Sequence, residues 1–302
     1  QGVSLSLGDI RTLANQLEAL YHTRGYFLAR VVIPRQELQG GNLRLVVSEG
    51  RFGQPRVTGN HHYSTPFIER FFAPARARGL IRERPLLRAL LILNEFPDLS
   101  VQTVFQPGKE PGTADVILTV KDSKPLHVSL DYSNLGNRLV GQHRGGVTFA
   151  RGSTLFAGDD LFLRAVEPFR SDSDPFYQAS YSLPVGVSGN RIGLQYVTSS
   201  TKVGKELAVL DIRGVADIYA MTFTRPVERT LTRSSNVTAA LTAKTVKNFT
   251  FGTIPTSQDD LRVVSCGYNR SITDPKGRTT VAALLNQGLG TAFGGRPNGD
   301  AL

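Results

Sequence analysis

The chain has 302 residues, of which 40% are hydrophobic and 20% are charged, so it is long enough for two or three folded domains. No run of about 18 apolar residues occurs, and the sequence therefore predicts no transmembrane helix, although the weaker pattern of a membrane β-strand would escape this test. The single cysteine, Cys266, excludes an intramolecular disulfide. No charged and apolar leader precedes the first helix, so we expect either a removed leader or a fragment.

The formal net charge is +10, and its densest part is a group of arginines around two predicted helices. Such a group could attract acidic lipid, acidic polypeptide or nucleic acid, but its commonest meaning is a solvated helix surface. No RNA-binding or zinc-finger pattern accompanies it, so we predict no nucleic-acid partner. The arginines are Arg70, Arg76, Arg78, Arg82, Arg84 and Arg88.

Leucines at helical spacing predict a first helix that ends at Gly25. Residues 26–33 are typical of a strand, residues 40–42 of a turn, and residues 43–47 of a second strand. The leucines are Leu13, Leu17 and Leu20.

A longer copy of this plan follows in the chain. A strand is predicted near residues 56–60, a short helix at 65–72, and a leucine-rich helix at 86–93 that Asn94 and Pro97 end. Strands at 101–105 and 114–120 flank two Pro-Gly turns. The second copy is therefore β-α-α-β-β, and the first lacks its opening strand and helix, so the chain is expected to begin inside a module.

Three stretches and their order resemble the POTRA (polypeptide-transport-associated) modules of two-partner secretion transporters, the outer-membrane haemolysin and haemagglutinin exporters of the Omp85 superfamily. The resemblance implies a first module at residues 1–53 and a second at 54–122. The stretches are Arg24-Gly25-Tyr26-Phe27-Leu28-Ala29-Arg30, Val47-Ser48-Glu49-Gly50-Arg51-Phe52-Gly53, and Leu91-Ile92-Leu93-Asn94-Glu95-Phe96-Pro97 with Pro107-Gly108 and Pro111-Gly112-Thr113-Ala114-Asp115.

After a polar break at residues 122–125, nine strand-length runs alternate between apolar and polar residues. This alternation suits an antiparallel sheet with lipid on one face and a watery lumen on the other, and it also suits a soluble β-sandwich. The preceding modules favour the membrane barrel, because in this family they stand directly before one. The runs are residues 126–132, 141–151, 160–169, 175–183, 191–202, 215–225, 235–247, 260–270 and 279–288.

The predicted fold class is therefore α+β POTRA modules followed by part of an antiparallel transmembrane β-barrel, residues 123–302. The resemblance implies about sixteen strands for a whole barrel, and an odd set of nine would leave edges unpaired in lipid. We expect the chain to be truncated at both ends.

No enzyme, cofactor or metal is predicted. His61-His62 has no further ligand at a fixed spacing and is typical of an exposed turn. Asp159-Asp160 and Asp259-Asp260 are acid pairs, but adjacent strand residues point to opposite faces, which suits strand ends better than acid–base catalysis. No nucleophile elbow or phosphate-binding loop occurs.

The resemblance implies polypeptide binding, because the second strand of such a module lies at the sheet edge beside the second helix. An extended client could join that edge by β-augmentation. The edges would be residues 27–33 and 101–105, and the best candidates for binding are Leu28, Arg30, Val32, Val101 and Thr103. For the leucines of the helices, a place in the module core is the favoured interpretation.

The predicted function is secretion of a large, unfolded exoprotein through a pore in the outer membrane of a Gram-negative bacterium, with the modules in the periplasm and lipid around the barrel. Two alternatives remain open. One is the related barrel-assembly insertase, and the other is a soluble all-β adhesion or carbohydrate-binding protein.

Overall fold

A computed structural model describes residues 6–36, 42–169 and 175–296. The chain forms two compact units, Gln1–Ser123 and Lys124–Leu302. None of the helices in the described ranges is both long and apolar enough to cross a membrane.

The first unit begins with helix α1 (Leu7–Thr23). Ser6 caps it: the Ser6 side chain accepts a hydrogen bond from the Asp9 N–H, and the Asp9 carboxylate accepts one from the Ser6 N–H. Gly25 follows the helix with a φ of 87°, a left-handed conformation that glycine adopts without strain, so the predicted helix end is confirmed.

Two short antiparallel strands follow, β1 (Arg30–Val32) and β2 (Val46–Ser48). β1 is shorter than predicted, because residues 26–29 form a turn in which the Ala29 N–H bonds to the Tyr26 carbonyl at 2.9 Å. β2 begins at Val46 and not at Leu43. The turn predicted at residues 40–42 falls almost wholly outside the described residues.

The rest of the first unit has the predicted β-α-α-β-β order. It consists of β3 (Arg51–Thr58), α2 (Thr65–Arg76), α3 (Glu83–Leu93), β4 (Leu99–Pro107) and β5 (Thr113–Asp122). The strand order is β3-β5-β4, with β3 parallel and β4 antiparallel to β5. The two helices bury an apolar core against this sheet. The core includes Phe67, Ile68, Phe71, Leu93, Phe96 and Leu118.

The second unit is one antiparallel sheet in which each described strand pairs with its neighbour in sequence. Each of the nine predicted runs overlaps one strand, so the predicted fold class is confirmed. The strands are β6 (Leu126–Ser133), β7 (Arg144–Gly152), β8 (Asp160–Pro168), β9 (Phe176–Val185), β10 (Asn190–Lys202), β11 (Arg213–Arg229), β12 (Arg233–Thr250), β13 (Ile254–Asp274) and β14 (Gly277–Gly288).

The strand register gives this sheet one apolar and one polar face. Rows of paired residues run across the strands, and alternate residues of a strand point to opposite faces. One row on the apolar face is Tyr181, Leu194, Met221 and Leu241. One row on the polar face is Ser129, Thr148, Arg164 and Gln178.

Candidate polypeptide-binding edges

Strand β4 has a free side, because it pairs with β5 on one side and ends the sheet on the other. Helix α3 packs against it. Hydrogen bonds from Gly108 N–H to Thr113 C=O and from Ser123 N–H to Asp98 C=O extend the β4–β5 ladder at both ends. Since backbone groups alternate sides along an edge strand, the even-numbered residues of β4 pair with β5 and the odd-numbered residues point outward.

Between the two ends of β4, the outward backbone groups belong to Val101, Thr103 and Phe105. The Asn94 side chain binds both groups of Val101: its Oδ1 accepts from the Val101 N–H at 2.7 Å, and its Nδ2 donates to the Val101 C=O at 3.1 Å. No described residue hydrogen-bonds to the outward N–H or C=O of Thr103 or Phe105. The open part of this edge is therefore at those two residues.

The sequence predicts that the side chains of Val101 and Thr103 face a groove at the sheet edge, and the structure places them differently. Val101 is 1% exposed and belongs to the core, so its side chain does not face a groove and its backbone alone reaches the edge. Thr103 is partly buried, and its hydroxyl has no hydrogen-bond partner among the described residues. The alternation explains this, because the residues with outward backbone groups point their side chains towards the helices.

The first module has an edge at β1. Its Val31 N–H points away from β2 and donates to the Glu18 carboxylate of α1 at 3.1 Å. One helical turn later, His22 Nε2 donates to the Ala29 carbonyl at 3.0 Å. Two side chains of α1 thus bind backbone groups of β1 and of the turn before it.

The three predicted residues near β1 have different positions. Leu28 lies in the turn before β1 and not in the strand, because the hydrogen bond from Ala29 to Tyr26 closes that turn. Arg30 and Val32 are exposed in the strand. Arg30 also forms an ion pair with Glu18 at 2.9 Å. The hydrogen bond from Val31 lowers the pKa of Glu18, and the Arg30 charge adds to this effect.

The helical leucines divide between core and surface. Leu86 and Leu93 are buried, whereas Leu13 and Leu20 of α1 are nearly half exposed.

In the arginine group, the Arg70 guanidinium lies 4.6 Å from the centre of the Phe67 ring, a cation–π contact on the helix surface.

The other polar motifs have structural roles. The backbone N–H groups of His61 and His62 donate to the Asp122 carboxylate, and no group of three metal-binding side chains occurs among the described residues. Asp159 is buried in the turn before β8, where it accepts from the Leu155 N–H and the Tyr181 hydroxyl.

The sequence prediction missed the residues that bind these edges, Asn94, Glu18 and His22. The sequence pattern places Asn94 at the end of α3, and it gives no sign of a binding role for the two α1 residues. The signal for Asn94 was its position between a helix and the edge strand, but its contact with Val101 depends on the chain reversal that joins them.

Comparison with known families gives two profile matches. The "POTRA domain, ShlB-type" profile matches residues 1–50. The "Haemolysin secretion/activation protein ShlB/FhaC/HecB" profile matches residues 112–300.

Individual relatives agree with these profiles. The outer membrane transporter CdiB of Dickeya dadantii is 26% identical over 94% of this chain and 51% of its own length. The hemolysin transporter protein ShlB of Serratia marcescens is 25% identical over 60% of this chain and 32% of its own length. The solved structure of CdiB from Escherichia coli has a TM-score of 0.81 at 21% identity, covering 97% of this chain and 55% of that one. The chain thus spans about half the length of such relatives.

Proposed function

The chain belongs to the ShlB/FhaC/HecB family of haemolysin secretion/activation proteins, and we propose that it binds an unfolded exoprotein at its POTRA edges and passes it through a β-barrel pore. The family places it in the outer membrane, with the POTRA part in the periplasm. Two-partner secretion transporters pair with a secreted exoprotein, and the unfolded state of that partner belongs to the proposal.

The observation that carries the proposal is the open edge of β4. Thr103 and Phe105 offer N–H and C=O groups to which no described residue bonds, and an extended polypeptide can pair with such groups. Main-chain pairing depends little on side chains, which suits a client that is captured along its unfolded length.

The two faces of the sheet support passage through a pore. Ion pairs line the polar face, Arg164 with Asp131 at 3.2 Å and Arg191 with Asp160, and they suit a wall that faces water. Leucine, tyrosine and methionine cover the other face and suit lipid. The outer strands β6 and β14 each have one unpaired side among the described residues, so the proposed barrel requires further strands between them.

The proposal keeps the division into a first module at residues 1–53, a second at 54–122 and the barrel part at 123–302. The boundary of the compact units at Ser123 supports the last of these divisions. No ATP enters the mechanism, and folding of the client outside the cell supplies the driving force in this proposal.

Thr103→Pro tests the role of the β4 edge. Proline removes the outward N–H, and edge strands tolerate proline because the ladder to β5 does not use that group. The full chain in detergent micelles is titrated into fluorescently labelled, reduced and carboxymethylated α-lactalbumin, a permanently unfolded probe, and anisotropy gives the affinity. A salt concentration of about 0.3 M screens non-specific attraction to the basic chain.

We expect Thr103→Pro to weaken binding about tenfold or more, and we expect the matched control Thr103→Val to bind as the wild type does. Valine keeps the N–H and the branched shape and removes the hydroxyl. Wild-type affinity in a folded Thr103→Pro chain would contradict binding at this edge.

A further inference from the structure

The Asn94 side chain imitates a paired strand residue. A residue opposite Val101 in an antiparallel ladder would accept from its N–H and donate to its C=O. The carboxamide of Asn94 does both, at 2.7 and 3.1 Å. The two groups of Val101 fix which end of the carboxamide is oxygen, because one is a donor and the other an acceptor.

Helix α3 holds this side chain in place. Asn94 is the residue directly after the helix, and its own N–H donates to the Leu90 carbonyl at 3.0 Å. Leu93 beside it is fully buried. The helix end therefore holds the Asn94 backbone beside β4, its exposed carboxamide reaches Val101, and a client strand must break two hydrogen bonds to reach that residue.

Proline closes the other end of the open edge. Pro107 is the last residue of β4 and has the same parity as Val101, but it carries no N–H. Between Asn94 and Pro107, no residue in the described ranges bonds to the N–H or the C=O of Thr103 or of Phe105. The stretch of β4 that is open to pairing is thus short, and Val101 and Pro107 bound it.

We propose that Asn94 sets the pairing register of the client, which joins β4 at Thr103 and Phe105 and is excluded from Val101. This inference rests on the proposed function, since it assumes that the client is an extended polypeptide. Asn94 acts as a positioning residue and does not need to contact the client. Glu18 and His22 of α1 bind the edge of β1 in a comparable way, so both edges carry side chains of the neighbouring helix.

The test measures backbone hydrogen exchange of the full chain in micelles by mass spectrometry with residue-level fragmentation. Without a probe, we expect a protected Val101 amide and fast exchange at Thr103 and Phe105. Asn94→Ala should speed exchange at Val101 by about tenfold or more, because the amide then lacks an acceptor. Asn94→Ser serves as a second variant, since its shorter side chain cannot reach both groups.

The second arm adds reduced, carboxymethylated α-lactalbumin. In the wild type, the probe should protect the amides of Thr103 and Phe105. In Asn94→Ala, the protection should extend to the Val101 amide. The affinity of Asn94→Ala for the probe should rise about twofold to tenfold, the range of one net hydrogen bond. Gln102→Ala is the matched control, because Gln102 is exposed and its backbone pairs with β5, and it should change neither result.

Each remaining outcome overturns a specific statement. A Val101 amide that exchanges freely in the wild type would disprove the side-chain contact. Equal affinity and equal protection patterns in wild type and Asn94→Ala would disprove the register role. A probe that protects no residue of β4 in either chain would instead overturn the proposed function, with the contact between Asn94 and Val101 unaffected.

Discussion

Asp122, at the end of β5, ties the loop before α2 to the sheet. Its carboxylate accepts hydrogen bonds from the N–H groups of His61, His62 and Tyr63, at distances from 2.8 to 3.1 Å. Partial burial raises the pKa of Asp122, but these hydrogen bonds outweigh it, and the pKa is lowered overall.

We expect Asp122→Asn to destabilise the first unit by about 1 kcal/mol at pH 7, since the carboxylate is partly exposed and the amide keeps one acceptor. A lowered pKa means that the wild-type contribution is complete above the ordinary value of about 3.9 and is lost as the pH falls through the folded-state value. The difference in the free energy of unfolding between wild type and Asp122→Asn should therefore shrink at acid pH.

Urea unfolding followed by circular dichroism at 222 nm measures this difference, because the described α-helices all lie in the first unit. Glu110→Gln is the control, since Glu110 is an exposed carboxylate in the β4–β5 turn. If the difference in the free energy of unfolding between wild type and Asp122→Asn stayed constant from pH 7 to pH 3, the charge of the Asp122 carboxylate would have no role.

At the level of the elements, the register of β9 to β13 offers a test that separates a membrane sheet from a soluble one. Leu241 is 52% exposed in the apolar row, and Thr242 points to the opposite face. Two adjacent residues of one strand therefore test which face meets lipid.

Leu241→Arg should reduce the folded fraction in lipid vesicles, because arginine in the hydrocarbon costs about 2–4 kcal/mol near the midplane. Thr242→Arg should fold nearly as the wild type does, because a lumen can hydrate the charge. The folded fraction is read from the heat-dependent mobility of the chain in detergent electrophoresis. Equal folding of the two variants would disagree with a lipid-facing apolar row.

At the scale of the whole molecule, the connections of the sheet predict its orientation. Strand β6 begins soon after the first unit, and the turns on that end of the sheet include residues 186–189, 230–232 and 275–276. The two longest connections, residues 134–143 and 203–212, lie at the opposite end, together with a short one at residues 251–253, and the first end also carries residues 153–159. Outer-membrane barrels place short turns in the periplasm and long loops outside.

We expect a cysteine at Val209 to react with a membrane-impermeant maleimide on intact cells, and a cysteine at Leu231 to react only after lysis. Both side chains are largely exposed, at 86% and 75%, so access to the compartment decides the difference. Cys266→Ser provides the background without a competing thiol. Labelling of the Leu231 variant on intact cells would show that the orientation is opposite to the predicted one.

The order of the elements and the two faces of the large sheet follow from the amino-acid sequence without the fold. The β-α-α-β-β module and the nine strands were predictable because helical and strand periodicity are local properties of the chain. The alternation of residues such as Leu194 and Gln195 assigned the faces without knowledge of the strand partners.

Strand pairing and packing in the folded chain decide which groups lie at the candidate binding edge. Whether Val101 offers its side chain or its backbone depends on its pairing with β5, and the contact with Asn94 depends on how the chain turns between α3 and β4. Leu28 was predicted on an edge strand, but a local hydrogen bond places it in a turn. Pairing with β5, the two bonds between Asn94 and Val101 and the bond between Ala29 and Tyr26 fix these positions, and no periodicity in the sequence records them.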